Sequence, residues 1–262
     1  MDYTMRFKDC SIYYQIQPNP TKPSLVLLHS YASSLQIFDQ QVVTLKKDFQ
    51  LVLFDLPGHG KSEVSTSVGL KDMPEIIKNV LDHHDIFKAH FLGIHEGSII
   101  AQGFAHIYPD RLISLISLSG YSIYHDSHKL IQSEKRTDSL KNIWFYLFGF
   151  KKYLNYYANQ AALTDQGIER FMKSTKGFKR KGLLSLLGYK RYFKLNQNPK
   201  VYPTYLICGQ FEKEAIKDAC ILYEQKRPKT VLEGFNQTKR IVFLDQSRLF
   251  QEHFMTFIRN QG

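Results

Sequence analysis

Cysteine is scarce in this chain. The three present, Cys10, Cys208 and Cys220, are odd in number, far apart and without a neighbouring ligand of metal-site spacing. That argues against a disulfide framework or a zinc site, and it fits a reducing, cytoplasmic setting. Long apolar runs are absent too: no stretch approaches the roughly 20 residues that span a bilayer. The opening Met1-Asp2-Tyr3-Thr4-Met5-Arg6-Phe7 lacks the basic start and apolar stretch of a secretion signal. Neither an internal repeat nor a low-complexity tract occurs. What the 262 residues do contain is 43% hydrophobic and 14% aromatic residues, enough for one large core.

The formal charge of +11 is concentrated. Residues 121–200 hold 16 Lys+Arg against 5 Asp+Glu, whereas the rest of the chain is balanced at 19 of each. The same segment is the densest in aromatics, so it reads as a separate structural unit.

Outside that segment, short apolar runs at 25–28, 51–54, 90–92, 113–118 and 205–208 are bounded by Gly, Pro, Ser or charge, the pattern of strands buried on both faces. Segments 72–83 and 98–106 between them have helical spacing. The alternation predicts a mostly parallel sheet with helices on both faces, preceded by an antiparallel hairpin over 5–10 and 12–16. The pattern stops after Gly120 and resumes near Tyr202, which makes 121–200 an insertion at the carboxyl ends of the strands, the ligand side of such sheets.

Two segments invite a chemical reading. Asp55-Leu56-Pro57-Gly58-His59-Gly60-Lys61-Ser62 ends like a phosphate loop, but the glycine needed five residues before Gly60 is Asp55, and Pro57 lacks an amide donor. A tight turn after a strand is the better account. In His90-Phe91-Leu92-Gly93-Ile94-His95-Glu96-Gly97-Ser98 a strand runs into a helix with glycines two positions either side of the central residue, the spacing of a nucleophile elbow. The apex is His95.

These segments, with Leu25-Val26-Leu27-Leu28-His29-Ser30, Tyr108-Pro109-Asp110-Arg111-Leu112, Gly209-Gln210-Phe211-Glu212 and Phe243-Leu244-Asp245-Gln246, occur in the order and spacing of the α/β-hydrolase superfamily, which the chain resembles over nearly everything outside the insertion. The resemblance is closest to small cytosolic members with a cap. It implies an eight-stranded, mostly parallel sheet over 1–120 and 201–262 and a helical cap after the sixth strand over 121–200. It also implies that His95 stands at the nucleophile position, Glu212 at the acid position, and Arg240, or Lys239 if the loop shifts, at the base position. The backbone amides of Tyr31 and Glu96 stand where the family's oxyanion donors lie. His29, Ser30, Trp144 and Phe148 would line a ligand site beneath the cap. His59 falls at a position that is usually architectural, and Ser33, Ser34 and Ser98 read as loop and helix-cap residues.

A serine mechanism needs an oxygen nucleophile and a base able to take its proton, and arginine is not such a base. The catalytic triad is therefore degenerate, and the leading reading is a non-catalytic homologue, a pseudoenzyme, that binds a small apolar or anionic ligand under its cap or regulates a protein partner. An atypical, esterase-like hydrolase with His95 as general base is the alternative. Docking of the basic cap to an anionic membrane surface is a further one; nucleic acid is disfavoured for lack of a recognition signature. Arg240 would complete an anion pocket at the helix N-terminus or pair internally with Glu212, two outcomes that stay open at this point. No metal and no cofactor is expected.

Overall fold

The computed structural model describes residues 1–123, 149–186, 188–194 and 200–261. One eight-stranded sheet organises them, in the order β1-β2-β4-β3-β5-β6-β7-β8. The strands are β1 (Asp2–Phe7), β2 (Cys10–Gln17), β3 (Ser24–Leu28), β4 (Gln50–Phe54), β5 (Ala89–Ile94), β6 (Leu112–Leu118), β7 (Thr204–Gly209) and β8 (Thr230–Phe235). β1 and β2 form the antiparallel edge, and every pair from β4 to β8 is parallel. The hairpin differs from the expected one by a few residues at its turn: Phe7 pairs with Cys10, so Cys10 opens the second strand rather than closing the first.

Period-two alternation explains the two buried faces. Leu25 and Leu27 of β3 point into one core with Leu51 and Leu53 of β4 and Leu92 and Ile94 of β5, while Val26 and Leu28 point into the other with Val52, Phe54 and Phe91. Helices α1 (Asp39–Leu45) and α2 (Met73–His83) and the elbow helix α3 (Glu96–Ile107) follow β3, β4 and β5. Ile76, Ile77 and Val80 of α2 and Ile100 and Phe104 of α3 cover the second face. β8 escaped the reading of apolar runs. It is an edge strand with only Phe235 fully buried, so its sequence Thr-Val-Leu-Glu-Gly-Phe carries little of the hydrophobic signal that marks a central strand.

Between β6 and β7 the described residues form α4 (Phe150–Ala161), α5 (Asp165–Ser174) and two short 3₁₀ stretches, Arg180–Leu186 and Tyr189–Lys194. These pieces do not stand apart from the sheet domain. Ala158, Ala161 and Phe171 share a hydrophobic cluster with Phe243, Phe250 and Phe254, residues of α7 (Val242–Asp245) and α8 (Ser247–Arg259). Asp245 fixes the junction. Its carboxylate accepts from the amides of Leu163, Thr164 and Lys239 and from the Thr164 hydroxyl. The Ser34 hydroxyl adds a bond of 2.7 Å to the carbonyl of Ser174 at the end of α5. Helix α6 (Glu214–Lys226) lies between β7 and β8.

Candidate active site

Parallel strands in register deliver their carboxyl ends to one edge. Leu28 of β3 lies opposite Gly93 of β5, which lies opposite Ser117 of β6, and Gly209 of β7 lies opposite Phe235 of β8. The segments beginning at His29, His95, Gln210 and Asn236 therefore emerge side by side, which assembles residues far apart in the chain.

β5 turns into α3 through His95, whose φ of 46° and ψ of −99° fall outside the regions a residue with a Cβ normally occupies. Such a conformation costs about 1–3 kcal/mol and persists only where the surroundings impose it. Here the His95 amide bonds to the carbonyl of Leu118, and its own carbonyl accepts from Ser98 and Ile99. A Cβ on Gly93 would lie 2.4 Å from the Ser98 amide, and one on Gly97 would lie 2.2 Å from the Leu28 carbonyl. The backbone has the form of a nucleophile elbow, with an imidazole at its apex.

The His95 ring is buried edge-on against Tyr121, at 5.6 Å between centroids. Its Nδ1 lies 3.0 Å from Glu96 Oε1 without forming a hydrogen bond, and among the described residues no other partner reaches that atom. The second oxygen of Glu96 does something the sequence did not announce. Oε2 accepts a 3.0 Å hydrogen bond from the amide of Tyr31, one of the two donors expected to form an oxyanion hole. An internal carboxylate thus takes up one of the two amides at which the resemblance expects an oxyanion.

Glu212, after β7, and Arg240, in the loop after β8, form a bidentate ion pair: Arg240 donates from Nε to Oε2 at 3.0 Å and from a terminal nitrogen to Oε1 at 3.2 Å. The side chains are only 2% and 15% exposed. Burial alone would raise the Glu212 pKa, but the guanidinium and the Lys213 amide outweigh it and hold the carboxyl below the usual range. Burial works against the Arg240 charge as well, and Glu212 reverses that, so its pKa is shifted upward. Lys239 points elsewhere, donating to the carbonyl of Asn159. Arg240, not Lys239, is the residue that faces Glu212.

Two expectations need correction. His29 is fully buried, with Nε2 accepting from the Leu56 amide at 3.0 Å and Nδ1 donating to the Ser30 carbonyl at 2.7 Å. Both nitrogens serve the main chain, so it presents nothing to a ligand. Burial and the neighbouring His59 push its pKa down to about 3, and burial pushes His59 to about 4. His59 holds the second bridge of this kind, between the Ala32 amide and the Pro57 carbonyl. Ser98 is not a cap: its buried hydroxyl lies 2.6 Å from that of Ser117 on β6. Trp144 and Phe148 lie outside the described residues.

One small cavity lies among the described groups. Ser30, Tyr31, Glu96, Tyr157, Ala161, Phe171 and Arg240 enclose a cavity of about 10 Å³, at the lower limit for a single water molecule. Tyr31 closes it in an aromatic cluster with Tyr157, Phe178 and His59, and the Tyr153 hydroxyl donates to that of Tyr31 at 3.2 Å. The glycine-rich turn after β4 has no free cradle either. The amides of Leu35 and Lys61 bind the Asp55 carboxylate, and those of Gly58, His59 and Ser62 bind backbone carbonyls. Among the described residues, no three His, Cys, Asp or Glu side chains converge as metal ligands, and no helix is long and apolar enough to cross a membrane.

Residues 23–247 match the α/β hydrolase fold family. The chain belongs to that family. A Bacillus subtilis protein named as the uncharacterized hydrolase YugF is 23% identical over 95% of this chain and 94% of its own length. 3-Oxoadipate enol-lactonase 1 of Acinetobacter baylyi is 33% identical, but over only 33% of each chain. Among solved structures, a hydrolase from Pseudomonas aeruginosa superposes with a TM-score of 0.78 at 19% identity, covering 98% of both chains. Bromoperoxidase from Bacillus anthracis superposes at 0.80 with 15% identity, covering 99% of this chain and all of its own. At these identities the superpositions speak to the fold, while activity rests on the side chains at the strand ends.

Proposed function

We propose that this protein is a non-catalytic member of the α/β hydrolase family that acts by binding rather than turnover. One observation carries the reading: the Glu96 carboxylate bonds to the Tyr31 amide, so one of the two donors expected to stabilise an oxyanion is already taken. Any tetrahedral intermediate would have to displace that carboxylate and would meet its repulsion. Arg240, committed to Glu212, offers no proton acceptor in place of the family's histidine.

A second reading has its own support. The His95 Nδ1 without a hydrogen bond, the neighbouring Glu96 carboxylate and the retained strain of the elbow suit a histidine that activates a water molecule, and relatives carry names such as enol-lactonase and methyl ester esterase.

Short-chain aryl esters and a fluorophosphonate probe separate the two. The first reading expects hydrolysis no faster than buffer and no labelling; turnover that disappears in His95→Ala would overturn it. Installing His95→Ser and Arg240→His should restore probe labelling only when Glu96→Ala clears the Tyr31 amide as well. Labelling of the double variant alone would show that Glu96 is no obstacle.

A further inference from the structure

Within 149–194 the chain has eleven Lys+Arg and two acidic residues. Much of this charge gathers in one turn, Lys176-Gly177-Phe178-Lys179-Arg180-Lys181-Gly182-Leu183-Leu184. The turn is anchored from below. Phe178 is buried against Tyr31, His59 and Phe150, and buried Gly182 sits so close to Gly58 that an added Cβ would come within 3.0 Å of backbone or nearer.

With Phe178 and Gly182 pinned, Lys176, Lys179, Arg180 and Lys181 are exposed. Leu183 and Leu184 are exposed beside them, at 45% and 37%. Among the described residues, Lys176, Lys179 and Lys181 have no ion-pair partner. Arg180 lies over the Phe150 ring at 5.6 Å. An open groove of about 1190 Å³ runs between Lys179, Lys181 and Leu184 on one side and Lys61, Ser62 and Thr66 on the other.

We infer that this face docks on an anionic membrane surface. The cations would meet headgroup phosphates, and the leucine pair would enter the boundary between headgroups and acyl chains. Charge complementarity alone would also suit a nucleic acid. The apolar half of the face decides between them: single strands are held by exposed aromatic platforms, and no aromatic side chain described within 149–194 is exposed, whereas two adjacent aliphatic ones are. The inference holds whether the cleft is catalytic or not.

The test is co-sedimentation of the full chain with vesicles of phosphatidylcholine alone and of equal parts phosphatidylcholine and phosphatidylserine, at rising salt. Binding is expected to the anionic vesicles only and to weaken as salt screens it. Lys179→Ala with Lys181→Ala should reduce the affinity roughly 30-fold at low salt, from about 1 kcal/mol per cation. Leu183→Ser with Leu184→Ser should reduce it about tenfold or more at any salt. All four positions are exposed, and unchanged circular-dichroism melts would verify that both variants fold. Equal sedimentation with neutral vesicles, or anionic binding that neither variant weakens, overturns the inference. So does tight binding of a single-stranded oligonucleotide without vesicle binding.

Discussion

Arg240 and Glu212 illustrate how a buried ion pair closes on itself. A carboxylate and a guanidinium two hydrogen bonds apart in a buried place satisfy each other, and removing either strands the other as a buried charge. Arg240→Met is expected to destabilise the protein by about 3–5 kcal/mol, whereas Arg240→Met with Glu212→Gln should recover a substantial part of that loss, because no net charge then remains buried. Urea-denaturation midpoints of the two variants and the parent give the comparison. A double variant no more stable than the single one would mean that the pair contributes through packing rather than charge. Glu96 differs from Glu212 in that its Oε2 accepts from a main-chain amide, that of Tyr31.

At the scale of elements, the elbow and the junction of α5 with the core are held by different means. Gly93 and Gly97 let β5, β3 and α3 approach to backbone contact, a steric requirement readable from spacing. The junction of α5 with the core depends instead on Asp245, a single acceptor for the amides of Leu163, Thr164 and Lys239 and the Thr164 hydroxyl. Asp245→Ala leaves those donors without their acceptor and is expected to cost about 2–3 kcal/mol. Because the loss is local to the α5 entry, hydrogen exchange should rise at 163–167 before it rises in β5 or β6. Uniform acceleration across the sheet would contradict that localisation.

For the whole molecule, burial of neutral histidines ties stability to pH. Burial lowers His29 to about 3 and His59 and His90 to about 4, from an ordinary value of 6.5. Each binds its proton more weakly folded than unfolded, so the unfolded chain gains protons first as pH falls below about 6.5, and stability is lost toward pH 4. Asp55 acts in the opposite sense: burial, opposed by the Lys61 and Leu35 amides, raises it to about 6, so its contribution grows as pH falls from 6 toward 4. Three groups against one leave a net loss of up to about 3 kcal/mol per pH unit. Thermal melts should show Tm falling steeply between pH 6.5 and 5, and a Tm that holds or rises over that range would refute the assignment of neutral buried histidines.

The sheet was legible because its cause is local. Alternation and apolar runs mark β3 to β7, and the glycine spacing around His95 marks the elbow, since steric limits act between near neighbours in sequence. β8 was not legible, because an edge strand buries too little to leave a signal. The identities of His95, Glu212 and Arg240 likewise stand in the sequence, but not whether Arg240 would be a free cation or half of a closed pair. Only tertiary structure decided that, and it alone seated the Glu96 side chain on the Tyr31 amide, 65 residues away. The reason is physical: a hydrogen bond between remote residues is fixed by where the packed strands leave the two groups, and neither segment carries that distance in itself.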